Sequence, residues 1–293
     1  MEETQACKIA VLITCYNRKQ KTLAFLESLV KQEAFKKSDT DIFVLDDGSS
    51  DGTTIAVKEK YPFVNIVEGT GNLFWAGGMR AIWKHAISVD DYDLFLLFND
   101  DVVLFDNAFG NLIMRYKEVN KKGVILIGST MSEESKKITY GGMLFHNLKR
   151  WDCYRAIPDD NGFISCPCGN ANVLLVDQST VENIGIFSEA YTHSYADFDY
   201  TLTAYKKGID VLIAPGYYAY CEDDHGVNWL SGKYNSLKKR IEYLYSPKGL
   251  AYKEHLYFMK KHFPADYAMS FVKLWLKTLF PILWDKFKLK ENH

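Results

Sequence analysis

Three polar clusters, each directly after a short apolar run, hold the side chains with the clearest chemical potential in this chain. Ile9–Ile13 ends in Thr14-Cys15-Tyr16-Asn17-Arg18, Ile42–Leu45 ends in Asp46-Asp47-Gly48-Ser49, and Leu94–Phe98 ends in Asn99-Asp100-Asp101. Two adjacent carboxylates after a buried strand repel each other and lose hydration unless a cation lies between them. Hard oxygen donors suit Mg2+ or Mn2+, which usually also take substrate phosphate oxygens. By itself, Asn99-Asp100-Asp101 reads equally well as a solvated turn before a helix. Asp46-Asp47 reads as a helix-capping turn, since Asp51 and Thr53 follow, or as acceptors for a ribose hydroxyl or a base N–H. Tyr16 offers a flat face for a base. Gly77-Gly78 let a backbone approach a ligand closely, and Arg80 can pair with a phosphate. Each of these three features also has an ordinary structural reading.

The elements that must position these clusters alternate along the chain. Helical patterns cover Lys19–Lys31, Thr53–Lys60, Gly77–Val89 and Asn107–Val119, and further strand-like runs are Val64–Val67 and Val124–Ile127. This βαβα order predicts an α/β fold with a Rossmann-like, mostly parallel central sheet flanked by helices. In open sheets of this kind, ligands bind outside the carboxyl ends of strands, where the strand order reverses. Beyond residue 130, Gly141-Gly142, Pro158, Asp159–Gly162 and Pro167 mark loops or hairpins. Ala171–Val176 reads as a strand, and Ser179–Glu182 as a capping box that opens a short helix ending at Gly185. Asp197–Lys207 reads as a helix and Val211–Ala214 as a strand ended by Pro215. The chain reads as helical beyond residue 232, which predicts a domain over 1–232 and a basic C-terminal helical extension over 233–293.

Composition narrows the function classes. With 47% hydrophobic and 25% charged residues in 293, the chain is neither disordered nor fibrous. Six cysteines are too few for a disulfide scaffold. The net charge of -2 hides an asymmetry: residues 233–293 carry 13 Lys/Arg against 5 Asp/Glu, and residues 1–232 carry 22 against 32. An acidic body argues against nucleic acid as a partner. No basic start followed by an apolar run precedes Cys7, so the expected location is cytoplasmic. Ala268–Trp284 comes nearest to a membrane span but contains Lys273, Lys277 and Pro281. Phe271, Leu274, Trp275, Thr278, Leu279 and Ile282 follow helical spacing beside lysines. Such a helix suits peripheral contact with the anionic inner face of the plasma membrane, or packing on the core or on a second subunit in a homodimer.

Taken together, IAVLITCYNR, VLDDGSSDGT, GNLFWAGGMRAIW, LFLLFNDDVVL, GNANVLLV, VENIGIFSEAYTHSYADFDYTLTAYKKG and IAPGYYAYCEDDHG resemble family 2 glycosyltransferases of the A-type (GT-A) fold, in order across residues 8–225. The GNLFWAGGM and SPKGL segments look like a bacterial polysaccharide, rhamnosyltransferase-like subgroup. The resemblance implies inverting transfer of a sugar from a UDP- or dTDP-linked nucleotide-sugar donor to a hydroxyl of a glycan or lipid-linked acceptor in cell-surface polysaccharide synthesis. It places the nucleotide at Thr14, Tyr16, Asn17, Arg18, Asp46 and Asp47, with Gly77, Gly78, Arg80 and Asp100 beside it. It places Trp75, Gly169, Asn170 and Asp199 at the donor sugar or acceptor, and Mg2+ or Mn2+ at Asp101, Asn99 and His225. Asp197 falls on the family's general base, which takes a proton from the acceptor hydroxyl. Three positions depart from the family's pattern. Asn99 replaces a carboxylate, Ala196 replaces a Glu, and Cys221 stands where a His is usual, with His225 four residues on. A helix start would lower the pKa of Asp197, so a basic role predicts desolvation by Tyr195, Phe198 and the acceptor. Three rivals remain. A sugar-nucleotide pyrophosphorylase would carry a Gly-rich basic loop after the first strand, and Thr14–Arg18 has no Gly. A non-catalytic sugar-binding protein would share the fold. A zinc protein would use Cys153, Cys166, Cys168, Cys221 and His225, although Cys-Pro-Cys is too short for the usual zinc spacing.

Overall fold

The computed structural model describes residues 7–223 and 236–281. His225 lies outside the described residues. β1 (Lys8–Cys15), α1 (Lys19–Val30), α2 (Glu33–Lys36), β2 (Asp39–Asp46), α3 (Thr53–Lys60), β3 (Asn65–Glu68), α4 (Phe74–Val89) and β4 (Leu94–Asn99) give the expected alternation. β1 and β4 are buried on both faces, which explains their unbroken apolar sequences. β5 (Val103–Leu104), α5 (Ala108–Val119), β6 (Val124–Met131) and β7 (Ile138–Tyr140) follow. Then come the short strands β8 (Gly142–Phe145), β9 (Cys153–Arg155), β10 (Ile164–Ser165) and β11 (Cys168–Gly169). β12 (Val173–Asp177), α6 (Gln178–Ile184), α7 (Ala196–Lys206) and β13 (Asp210–Tyr220) complete the sheet region. The helices α8 (Leu237–Tyr245), α9 (Tyr252–His262) and α10 (Pro264–Leu279) come last.

The main sheet runs β10-β13-β6-β12-β4-β1-β2-β3, with β5 on β13 and β7 on β6; β11-β8-β9 form a small second sheet. β1 lies between β2 and β4 and is parallel to both, so the strand order reverses there. All three polar clusters therefore leave the sheet at one edge, at a topological switch point. β12 is antiparallel to both β4 and β6, an insertion that the alternating pattern did not announce. β13 does not stop at Pro215. It continues to Tyr220 with register shifts between Ile213 and Ala219, so Pro215 marks an irregularity rather than an end. The cap of α6 is Asp177, which accepts from Thr180 N at 2.9 Å, rather than Ser179.

Alternate side chains of β1 feed two cores. Ala10 and Leu12 join Trp83, Phe95 and Phe187 on one face, while Ile9, Val11 and Ile13 join Phe25, Phe98 and Phe109 on the other. Phe258 and Met259 of α9, with Phe263 just after it, belong to the first core, so the C-terminal helices are packed on the body. α4 lies close over β1. A Cβ added at Gly78 would sit 2.3 Å from Thr14 Oγ1, whereas one at Gly77 would first meet a neighbour at 3.6 Å. Both glycines lie inside α4, which starts at Phe74 rather than Gly77.

Gly78→Ala is expected to cost about 1–3 kcal/mol in urea unfolding because it overpacks this contact. Gly77→Ala should be neutral or stabilising by up to about 1 kcal/mol, since it removes a helix-interior glycine. Equal effects of the two substitutions would contradict this account of the contact between α4 and β1.

Candidate active site

The first two polar clusters are knitted together. Asn17, at φ 52, donates through its N–H to Ser49 Oγ at 2.8 Å and accepts from Ser50 N at 2.8 Å. Asp46 accepts from Ser49 N at 2.8 Å and from the Thr54 hydroxyl. Asp47 accepts from Gly71 N at 2.8 Å, Leu73 N at 2.9 Å and Phe74 N at 3.0 Å. It thereby ties the end of β2 to the start of α4. Three backbone N–H groups also satisfy a carboxylate that is otherwise 4% exposed. Tyr16 is half exposed beside this knot, and Thr14 is buried under Gly78.

The start of α4 is already occupied by protein. Ala76 N and Gly77 N donate to Thr192 O at 3.1 and 3.2 Å. Arg80 Nη1 donates to Ser188 O and Tyr191 O at 2.9 and 3.0 Å. Gly77, Gly78 and Arg80 thus anchor the segment before α7 and pack on β1, while the first two clusters face the carboxyl edge of the sheet.

At the end of β4, Arg18 Nη1 lies 3.1 Å from Asp100 Oδ1 and 2.7 Å from Asp101 Oδ2. Burial pushes the Asp100 carboxyl up to about 7, against the opposing pull of Arg18. Its Oδ2 is buried and has no hydrogen-bond partner. Asn99 Oδ1 accepts from Trp75 Nε1 at 2.8 Å, which fixes the indole over the strand end. Cys221 Sγ lies 3.6 Å from Asp101 Oδ1, and burial with Asp101 nearby keeps the thiol protonated by raising its pKa. Among the described residues, no three His, Cys, Asp or Glu side chains converge as a closed metal centre. The donors present nevertheless fit a divalent ion. An orphaned carboxylate oxygen of Asp100 sits beside Asp101, and ions of this type complete their shell with substrate phosphates and water.

Asp197 lies in the first turn of α7 and is half-buried. Its Oδ1 accepts from Phe198 N at 2.9 Å, and its Oδ2 from Ala171 N at 3.3 Å and, weakly, from Asn170 Nδ2 at 3.5 Å. Burial raises its carboxyl to about 6 despite these bonds. Desolvation therefore outweighs the helix terminus, the condition a general base requires near neutral pH. Asn172, two residues from Asn170, accepts from Asn99 N through its backbone O at 3.3 Å and approaches Cys221 Sγ at 3.5 Å. The short segment 170–172 thus links Asp197 to the acidic end of β4. Gly169 lies just before it, closely packed against Ile127 and Gly141.

Asp199 points away from this edge. It is buried and accepts from Tyr191 OH at 2.9 Å, His262 Nε2 at 2.7 Å and Lys261 Nζ at 2.8 Å. Burial alone would raise its carboxyl, but His262 and Lys261 hold it below the usual range. Asp199 joins α7 to α9 and so fixes the helix that carries Asp197. Glu254 of α9 accepts from Thr192 N at 3.0 Å, and His255 Nδ1 shares a hydrogen bond of 2.9 Å with Tyr195 OH. Lys248, which its sequence neighbours mark only by a Pro-Lys-Gly turn, lies over the rings of Tyr16 and Phe74.

Comparisons with known proteins bear on the family and the fold. A family model described as Glycosyl transferase family 2 matches residues 10–172, more than half of the chain. No curated protein matches at a significant level. A mannosyltransferase from Pyrobaculum calidifontis, PcManGT, in complex with GDP-Man and Mn2+, superposes with a TM-score of 0.55 at 14% identity, covering 96% of this chain and 72% of that one. S. aureus TarS superposes with a TM-score of 0.54 at 16% identity, covering 87% of this chain and 43% of that one. Its 1–349 form gives a TM-score of 0.55 at 14% identity, covering 93% and 81%. At these identities the superpositions speak to the fold alone.

The raised Asp197 carboxyl predicts a stability signature. An acid with a higher pKa folded than unfolded penalises the folded state once pH exceeds the unfolded value, and the penalty is complete above about 6. Asp197→Asn should therefore raise the melting temperature at pH 8, with the gain shrinking as pH falls from 6 towards 4. A melting temperature lowered at pH 8 would contradict this environment for Asp197.

Proposed function

The chain belongs to glycosyl transferase family 2, and on that premise we propose that it moves a sugar from a UDP- or dTDP-sugar to a hydroxyl of a glycan or lipid-linked acceptor, with inversion at the anomeric carbon. The observation that carries this reading is the 170–172 segment, which holds a desolvated Asp197 beside the acidic strand end at the switch point. The acceptor oxygen attacks the anomeric carbon and forms the new C–O bond. Its proton passes to Asp197, and the bond to the phosphate oxygen breaks, with the electron pair leaving on the nucleoside diphosphate. One displacement suffices, with no sugar–enzyme intermediate. Tyr16, Asn17, Asp46 and Asp47 frame the nucleoside, and Arg18 brings positive charge to the same edge. Mg2+ or Mn2+ held by Asp101 and the open oxygen of Asp100 would supply further positive charge to the leaving diphosphate. Asn99 and Trp75 complete the proposed metal and sugar surroundings, and His225 is assigned to the metal by the resemblance alone.

A second observation favours a place at a membrane surface. α10 is apolar on two faces: Leu274 and Thr278 point inward, while Met269, Val272, Leu276 and Leu279 form an outward stripe, each 42–55% exposed. Lys273 and Lys277 flank the stripe, and residues 236–281 carry 9 Lys/Arg against 3 Asp/Glu. Among the described residues, no helix is long and apolar enough to cross a membrane. We read the stripe as lying on an anionic bilayer, such as the cytoplasmic leaflet of a plasma membrane, where lipid-linked acceptors are presented.

Asp197→Asn should lower nucleoside diphosphate release from a panel of UDP-, dTDP- and GDP-sugars, with glycan acceptor and Mn2+, by about 10²–10⁴-fold. Nucleotide affinity should stay within about threefold, because Asp197 meets the acceptor rather than the nucleotide. The wild-type rate should rise as pH passes through about 6, where the base loses its proton. Full activity of the variant would instead support a non-catalytic role for this carboxylate. Separately, Val272→Glu with Leu276→Glu should abolish sedimentation with phosphatidylglycerol vesicles. Loss of a concentration-dependent dimer instead would assign the stripe to a second copy.

A further inference from the structure

The turn between α8 and α9 is closed by its own backbone. Gly249 N donates to Ser246 O at 2.9 Å, Leu250 N to Tyr243 O at 3.0 Å and Ala251 N to Ser246 O at 3.2 Å. A Cβ at position 249 would lie 2.0 Å from Tyr243 O, so only glycine allows this closure. Pro247 precedes Lys248, and its carbonyl accepts weakly from Ser194 Oγ at 3.5 Å. The first turn of α9 is held to the segment before Asp197 through Glu254 and Thr192. This turn therefore rests against the same segment that α4 contacts, above the carboxyl edge of the sheet.

Lys248 projects from that turn over the nucleotide cluster. Its Nζ lies 5.9 Å from the centroid of the Tyr16 ring and 5.9 Å from that of the Phe74 ring. Tyr16 follows β1, and Phe74 is fixed by Asp47 at the end of β2. The ammonium thus spans the two loops that frame the proposed nucleoside position. Two other cations at this edge are engaged. Arg18 is paired with Asp100 and Asp101, and Arg80 is spent on backbone carbonyls. Among the described residues Lys248 is exposed and has no carboxylate within ion-pair distance. A cation stacked on aromatic faces is held weakly and stays available to an anion.

We infer that Lys248, delivered by the C-terminal helical segment, is a ligand of the donor's diphosphate: it leaves the Tyr16 and Phe74 faces and pairs with phosphate oxygens when the nucleotide enters. The inference rests on the proposed nucleotide-sugar reading of this edge. It gives the C-terminal segment a part in donor binding that the match over residues 10–172 does not reach. A charge-assisted contact of this kind corresponds to about 10–100-fold in affinity.

The test is calorimetric titration of the full chain with UDP, dTDP and GDP in Mn2+, comparing wild type, Lys248→Met and Lys248→Arg. Methionine keeps the length and apolar stem of the side chain while removing its charge. The inference predicts that Lys248→Met weakens the nucleotide bound by wild type at least about tenfold, and that Lys248→Arg restores it to within about threefold. Unchanged affinity in Lys248→Met, or a loss that Arg does not restore, would overturn the role of Lys248 and leave the glycosyltransferase reading standing. Binding of none of the three nucleotides by the wild type would overturn that reading and the inference with it.

Discussion

Carboxylates crowd the edge where β1, β2 and β4 end, and the way each is compensated organises this molecule. A buried carboxylate is tolerated only with donors or cations around it. Asp46 and Asp47 are compensated by backbone N–H groups and a hydroxyl. Satisfying Asp47 also draws residues 71–74 against the end of β2 and sets where α4 begins. Asp100 and Asp101 are compensated by Arg18, which returns from the end of β1. That compensation leaves Asp100 Oδ2 without a partner. The edge is thus rigid and acidic, with one buried oxygen still open to a cation.

Asp197 obeys the same constraint with the opposite result. Its donors are a neighbouring N–H, one N–H from residue 171 and a weak amide contact, too few to cancel the effect of burial. Its neighbour Asp199 receives Tyr191, His262 and Lys261 and stays ionised. Two acidic residues in one helix turn are thereby driven apart. One holds α7 to α9, and the other is available to take a proton. Segment 170–172 then carries the position of α7 to the end of β4.

The parts visible in sequence are those governed by local pattern. Apolar runs such as LFLLF could only be strands buried on both faces, and polar clusters after them marked the functional edge. The parts that were not visible depend on contacts between distant residues. α4 begins at Phe74 because Asp47 caps it from 27 residues away, and no local capping residue announces this. Gly77-Gly78 looked like a ligand approach, yet the need for glycine at 78 comes from Thr14. Pro215 looked like a strand end because a bulge in β13 has no local signature. The balance of desolvation and donors around Asp197 could be named from Tyr195 and Phe198 but not signed. Lys248 is visible in sequence only as part of the SPKGL segment, and its place over Tyr16 and Phe74 is not, because those rings lie far from it along the chain.

A nucleoside diphosphate received at the switch-point edge would shield the loops after β1, β2 and β4. Hydrogen–deuterium exchange of the full chain with UDP, dTDP or GDP, in Mn2+ and in EDTA, tests this binding most directly. Mn2+-enhanced protection is expected at residues 14–18, 46–51 and 99–101, together with the turn at 246–250. Protection confined to another surface, or none with any of the three nucleotides, would contradict it.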